Sequence, residues 1–234
     1  MNSSLKIAVI SDIHSNLDAF DAVIADLPAV DSTLCLGDIV GYGPQPNEVV
    51  EKIRQLHPAV VLSGNHDYAI STGEIEGFSP NAAVAAKWTR KQLRKENLRY
   101  LSALRPSSCL VLDGIRTSLF HASPRDPLGE YIYPGMSQPE VDALLEQSDG
   151  ELLLLGHTHI PMVCSSMKGI LANPGSVGQP RDTIPRASYA IVTVSESRIS
   201  VDIRRVAYNI GSVAEKIISA GLPRFLADRL YVGE

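Results

Sequence analysis

Five times along this chain an apolar run stops on histidine, aspartate or asparagine. "LKIAVISDIH" (5–14) ends with Asp12 and His14, "STLCLGD" (32–38) with Asp38, and "AVVLSGNHD" (59–67) with Asn65, His66 and Asp67. The run over 115–120 ends at His121, and "ELLLLGHTH" (151–159) ends with His157 and His159. Runs this continuously apolar suit strands covered on both faces, the habit of parallel sheets. Helical periods separate them. Leu17, Phe20, Ile24 and Leu27 follow a capping Asn16, and Val49, Val50, Ile53 and Leu56 follow Pro46. The alternation implies a β-α-β-α-β core. Ligands of open α/β sheets gather at the C-terminal ends of the strands, so the polar endings are expected to converge. Asp12 and His14 are two residues apart, as are His157 and His159, and in extended chain such pairs face one side.

Beyond the first three strands, a helical stretch is expected from about 80 to 104, capped by Ser79. Strands over 107–112 and 115–120 are joined at Asp113–Gly114, a strong hairpin signal. Ser137 and Glu140 form a capping-box pattern. Residues 162–205 are strand-like, with turns at "MKG", "NPGSVGQPRD" and "SES", and the tail from Ser212 reads as helix. That supplies strands for two sheets in one α/β domain over 1–234, and 44% hydrophobic residues suffice for a sizeable core.

Composition excludes some classes of function. A net charge of −5 argues against a nucleic-acid or membrane surface binder. No signal peptide is read at the start, and no apolar run approaches the ~20 residues of a membrane helix. Cys35, Cys109 and Cys164 form no C-x-x-C pair. Cys35 and Cys109, in strand-like runs, are expected to be buried thiols, and this usage suits a reducing cytoplasm.

The chemistry follows from the endings. Five of the six histidines lie at them; His57, before Pro58, reads as a surface residue at a helix end. Mixed Asp, Asn and His ligands fit borderline divalent ions such as Mn²⁺, Fe²⁺, Co²⁺ or Zn²⁺. The ligands are too many for one ion with an open position and suit two. Two ions about 3.5–4 Å apart clamp phosphate oxygens and lower the pKa of a shared water, a recurrent device for phosphate ester hydrolysis.

The ordered set "DIH", "GDIVGYG", "GNHD", a lone histidine after a strand and "GHTH" resembles the calcineurin-like metallophosphoesterase superfamily over about residues 7–205, and looks closest to its small single-domain bacterial phosphoesterases. The resemblance implies two mixed sheets packed face to face with helices outside, a four-layer αββα sandwich. It implies two divalent ions, Mn²⁺ first, with Fe, Zn, Co or Ni as alternatives. Asp12, His14 and His159 would hold one ion, Asn65, His121 and His157 the other, and Asp38 would bridge both. His66 matches the family histidine that serves the leaving group. Gly37, Gly64 and Gly156 precede ligands, where close approach or simple turn formation both account for glycine.

One departure bears on substrate. Phosphoprotein phosphatases carry "DRG" in the second motif, and its arginine grips phosphate; here Gly41, Tyr42 and Gly43 stand there. Arg125 and Arg181, on loops near ligand strands, are candidate substitutes or plain solvated arginines. Tyr42, Tyr68, Tyr131 and Tyr133 are candidates for lining a pocket. With the clamp missing, charge favours small phosphodiesters or nucleotides. The alternatives are a phosphomonoesterase or protein phosphatase-like activity, or a non-catalytic scaffold like the retromer subunit of this fold. A nuclease would want a basic groove or an added DNA-binding domain, and stable nucleic-acid binding is not expected. The partner expected is a small phosphate ester, with homo-oligomerisation left open.

Overall fold

The computed structural model describes residues 4–196 and 198–234. Two five-stranded mixed sheets stack face to face. The first has the order β10-β9-β1-β2-β3, built from β1 (Leu5–Ile10), β2 (Ser32–Cys35), β3 (Val60–Val61), β9 (Ala187–Ser195) and β10 (Arg198–Val206). Here β1 pairs parallel with β2 and antiparallel with β9. The second has the order β4-β5-β6-β8-β7, from β4 (Ser107–Leu112), β5 (Ile115–Phe120), β6 (Leu152–Leu154), β7 (Met162–Ser165) and β8 (Ile170–Asn173). In it β5, β6 and β8 run parallel.

Alternation along each strand assigns its faces. Ile7, Val9, Leu34 and Leu36 point inward, against Leu119, Leu152, Leu154 and Ala172 of the second sheet. Ala8, Ile10 and Cys35 point outward, onto Phe20 and Val23 of α1 (Leu17–Asp26) and Val49, Val50 and Ile53 of α2 (Pro46–Leu56). Leu153, Leu155 and Leu171 face α6 (Gln138–Ser148) through Val141, Leu144 and Leu145. Helix, sheet, sheet, helix is the expected order of layers, and β1 is buried on both faces as its unbroken apolar run requires.

Caps fall where the sequence places them. Asn16 Oδ1 accepts from the Ala19 amide at 3.1 Å, and Glu140 Oε2 accepts from the Ser137 amide at 2.8 Å. The hairpin turns on Asp113 and Gly114, both with positive φ.

Four expectations need correction. The stretch over 80–104 is two helices, α4 (Pro80–Gln92) and α5 (Lys95–Ser102). Asn47 causes the break: its side chain accepts from the Arg94 amide at 2.9 Å and donates to the Gln92 carbonyl at 2.9 Å, a long-range contact that local periodicity does not carry. The third strand is only two residues long, and "NHD" opens α3 (Asn65–Thr72) instead. The tail helix α7 (Ile210–Ser219) is followed by a short α8 (Arg224–Asp228) and a 3₁₀ turn, Arg229–Tyr231. Cys109 is exposed, because it faces outward on edge strand β4, whereas Cys35 is buried. Among the described residues no helix is long and apolar enough to cross a membrane.

Candidate active site

The strand endings meet at one edge of the sandwich, through loops. Asp12 N donates to Gly37 O and His14 N to Asp38 O, both at 3.0 Å, which ties the ends of β1 and β2 together. Asp12, His14, Asp38, Tyr42, His157 and His159 all have positive φ, a conformation that costs non-glycine residues of order 1 kcal/mol each and clusters at functional sites. The facing of each pair is therefore set by curled loops, not by strand alternation as the spacing suggests. His157 and His159 point into different groups.

Two groups of buried ligand-type atoms result. Asp12, His14, Asp38 and His159 form one; Asp38, His121 and His157 form the other. Asp38 belongs to both: its Oδ2 lies 3.5 Å from His14 Nε2 and 3.6 Å from His121 Nε2. Asn65 joins the second group, its Oδ1 lying 3.2 Å from His121 Nε2 and 3.0 Å from His157 Nδ1. The packing leaves no room for a side chain at Gly37, Gly64 or Gly156, and a Cβ on Gly37 would lie 2.5 Å from Gly64 N. A Cβ on Gly64 would lie 2.0 Å from Asp38 Oδ1, and one on Gly156 would lie 2.2 Å from Ser11 Oγ.

Hydrogen bonds fix the tautomers. Nδ1 of His14, His121 and His159 lies 3.2, 2.8 and 2.5 Å from the carbonyls of Val40, Leu36 and Gln179. A carbonyl only accepts, so each Nδ1 carries the proton and each Nε2 presents a bare lone pair. His14 Nε2 and His159 Nε2 face each other at 3.0 Å, and His159 Nε2 lies 3.3 Å from Asp12 Oδ1. Asp12 Oδ1 and His157 Nε2 are buried without a hydrogen-bond partner. Protonation does not relieve this crowding. Burial, then the charge of Arg181, pushes His159 down to about 4; burial, then His121, pushes His157 down to about 3. Burial and the charges of Asp12 and Asp67 hold Asp38 well above the carboxylate range. Converging imidazole lone pairs and crowded carboxylates, the imidazoles held from behind by backbone carbonyls, are the donor set of a divalent cation, whose charge would offset the repulsion that raises Asp38.

Beside these groups lies a cavity of about 540 Å³, lined by Tyr42, Asn65, His66, Tyr131, His157 and Arg181 among others. The His66 ring packs against Tyr42 at 4.4 Å, Phe78 at 4.6 Å and His14 at 5.0 Å, and its Nδ1 is buried without a partner. Burial and Arg181 hold this imidazole well below its ordinary pKa. Arg181 donates to Gln179 Oε1 at 3.0 Å and to the Tyr42 hydroxyl at 3.4 Å. Tyr131 covers His157, with ring centroids 4.1 Å apart.

Other candidates fall outside. Arg125 forms an exposed ion pair with Glu130 and does not line the cavity. Tyr68 is exposed and bonds Glu74, and Tyr133 stacks against Tyr131 without lining the cavity. His57 ends α2 on the surface.

Three contributors were not foreseen. Asp67 accepts from the buried amides of Ile39, Val40 and Gly64 and so braces the loops of Asp38 and Asn65; its place three residues after Gly64 was the available sign. Asn173 donates to Gly156 O and Thr158 Oγ1, holding the loop of His157 and His159. Arg229 reaches the cavity from the C-terminal 3₁₀ turn, and nothing in the local sequence marks it.

Known proteins resemble the chain over nearly its whole length. The Methanocaldococcus jannaschii protein MJ0912 is 41% identical, over 97% of this chain and 98% of that one. The structure of a metallophosphoesterase from Sphaerobacter thermophilus is 37% identical, covers 99% of this chain and 100% of its own, and superposes with a TM-score of 0.86. Phosphodiesterase YfcE of Escherichia coli is 26% identical over 80% of this chain and 87% of its own length. The calcineurin-like phosphoesterase superfamily domain matches residues 5–197, and with these relatives it shows that the chain belongs to that superfamily.

Proposed function

We propose that this protein hydrolyses phosphate esters of small molecules, phosphodiesters and nucleotides foremost, with two divalent cations held by Asp12, His14 and His159 on one side, Asn65, His121 and His157 on the other, and Asp38 between. The observation that carries this reading is the single Asp38 oxygen within 3.6 Å of histidines from both groups. Cations bound there would supply Lewis-acid polarisation of the phosphoryl group and a water acidic enough to attack phosphorus. Mn²⁺ is the first candidate, with Fe, Zn, Co and Ni as alternatives, because the donor set is mixed imidazole, carboxylate and amide.

The chain's own groups do the rest. His66, beside the ligands yet in neither group, supplies a proton to the departing oxygen, and a bound phosphate anion would offset the charge of Arg181 that helps hold its pKa down. Arg181 faces the cavity at the tip of Tyr42 and offers charge to a bound phosphate. Tyr131, half-buried at the mouth, gives a nucleobase a surface to stack on.

The charge argument for diesters over monoesters does not stand, because the structure brings Arg181 and Arg229 into the cavity. The diester reading now draws support from the similarity to phosphodiesterase YfcE. A second reading is a phosphomonoesterase, since two arginines on the cavity suit a substrate with more than one negative charge. Three free cysteines suit a cytoplasmic location.

The test is a screen. Metal-stripped protein is reloaded with each divalent ion in turn and assayed on nitrophenyl phosphate, bis-nitrophenyl phosphate and a nucleotide panel. Turnover only after reloading is expected. Fully loaded protein that turns over none of them would favour the scaffold.

A further inference from the structure

We propose that Arg181 and Arg229 form an anion subsite beside the ligand groups that takes a second phosphoryl group of the substrate, so that compounds with two phosphates bind better than those with one. This rests on the phosphoesterase reading and narrows its substrate class.

The first observation is that the C-terminal segment is built onto the cavity. Leu222, Leu226 and Leu230 pack with Val213 and Ile217 of α7, and Tyr42 packs on the same cluster. Gly233 O accepts from the Thr183 amide at 2.9 Å. Gly233 has φ +68°, and a Cβ there would lie 2.8 Å from Ile184 N, so the segment docks tightly on the loop that carries Arg181. Arg205 of β10 forms an ion pair with Asp182 and anchors that loop from below. Both guanidinium groups are thus carried by one braced unit, and Arg229 lies outside the residues 5–197 matched by the superfamily domain.

The second observation is charge that is only partly neutralised. Arg181 bonds only uncharged acceptors, Gln179 Oε1 and the Tyr42 hydroxyl, and its Nε is buried without a partner. Arg229 gives its Nε to a terminal oxygen of Glu234, the last residue of the chain, and packs over the Phe225 ring at 5.2 Å. Among the described residues neither forms an ion pair with an Asp or Glu side chain. The one carboxylate on the cavity lining, Glu76, is solvent-exposed. Burial, then the charge of Arg181, pulls Arg229 down to about 10, against the opposite pull of Tyr42 and Glu234. Two cations facing one cavity repel until an anion joins them.

The third observation is position. His14 and His66 pack on the Tyr42 ring at 4.7 and 4.4 Å, while Arg181 meets the hydroxyl tip of the same tyrosine. Among the described residues no hydrogen bond joins the Arg181 side chain to a ligand-group residue. A clamp on the scissile phosphate would sit among the ligands. Arg181 at the hydroxyl tip of Tyr42, with Arg229 on the same cavity, is placed to meet the next anionic group of a longer substrate.

A second phosphate comes either through an anhydride, as in a nucleoside diphosphate, or on a separate hydroxyl, as in a nucleoside bisphosphate. The test measures binding of adenosine 5′-monophosphate, a methylene-linked adenosine diphosphate and adenosine 3′,5′-bisphosphate, by calorimetry and by inhibition of nitrophenyl phosphate turnover in Mn²⁺-loaded enzyme. At least one two-phosphate compound should bind ~10-fold or more tighter than the monophosphate, the scale of one charge-assisted contact, and which one does so identifies the source. Arg229→Ala should bring that ratio close to one, and Arg229→Lys should restore part of it. If Arg229→Ala does not fold, Arg181→Gln is to lower the same ratio. Equal affinity for one and two phosphates in the wild type, or an unchanged ratio in the folded variants, overturns the subsite. Absent nitrophenyl phosphate turnover would instead strike the phosphoesterase reading, while the calorimetric ratio still decides on the subsite.

Discussion

His14 and His159 aim their Nε2 atoms at each other across 3.0 Å, and the other nitrogen of each ring is committed to a backbone carbonyl. No proton lies between them, so the protein holds two lone pairs in opposition inside its core. A cation between them turns that opposition into two bonds, and loading is therefore coupled to stability.

The first expected outcome is thermal. Chelation should lower the melting temperature, and Mn²⁺ should restore it. At 100 times the dissociation constant a site contributes about 2.7 kcal/mol, or about 5–10 °C for a chain of this size. Scanning calorimetry with and without chelator measures this. A melting temperature indifferent to divalent ions would mean that the opposed histidines are satisfied some other way.

His66 separates chemistry from metal binding. His66→Ala should retain its metal content and lose ~10²–10⁴-fold in kcat on an alkyl phosphate ester, the usual range for a general acid. The loss should shrink on a nitrophenyl ester, whose leaving group departs without a proton. Equal losses on both would make His66 a residue that positions substrate.

Asp67 carries three buried amides. Asp67→Ala should cost about 3 kcal/mol or more in urea unfolding, since each orphaned buried donor costs about 1–3 kcal/mol. Asp67→Asn should cost less because one acceptor oxygen remains. A cost under about 1 kcal/mol for the alanine variant would show that water replaces the carboxylate.

Tyr131 tests the stacking surface. Stacking on an aromatic ring is worth about 1–3 kcal/mol per base, so Tyr131→Ala should raise KM for a nucleotide about tenfold and leave KM for a small alkyl phosphate nearly unchanged. A parallel rise for both would tie Tyr131 to the support of His157, which its ring covers.

The strand endings were readable because burial on both faces leaves an unbroken apolar run, and the run stops where the chain turns toward ligands. Asp12, His14, Asp38, Asn65, His121, His157 and His159 all lie at those endings. Their mode of convergence was not readable, since the positive φ values that curl the loops depend on hydrogen bonds between strands far apart in sequence. Distance in sequence also hid the break at Leu93, made by Asn47. Arg125 and Arg181 looked alike as loop arginines. Glu130, five residues away, takes the first to the surface, and the docked C-terminal segment keeps the second company at the cavity. Arg229 had no local sign, because its place depends on that docking.

The account stands or falls on two ions sharing Asp38. Calorimetric titration of metal-free protein with Mn²⁺, on wild type and Asp38→Ala, measures this directly. Two equivalents in the wild type, with tight binding lost at both sites in the variant, is the expected result. A single equivalent in the wild type, or two tight equivalents in Asp38→Ala, would contradict it.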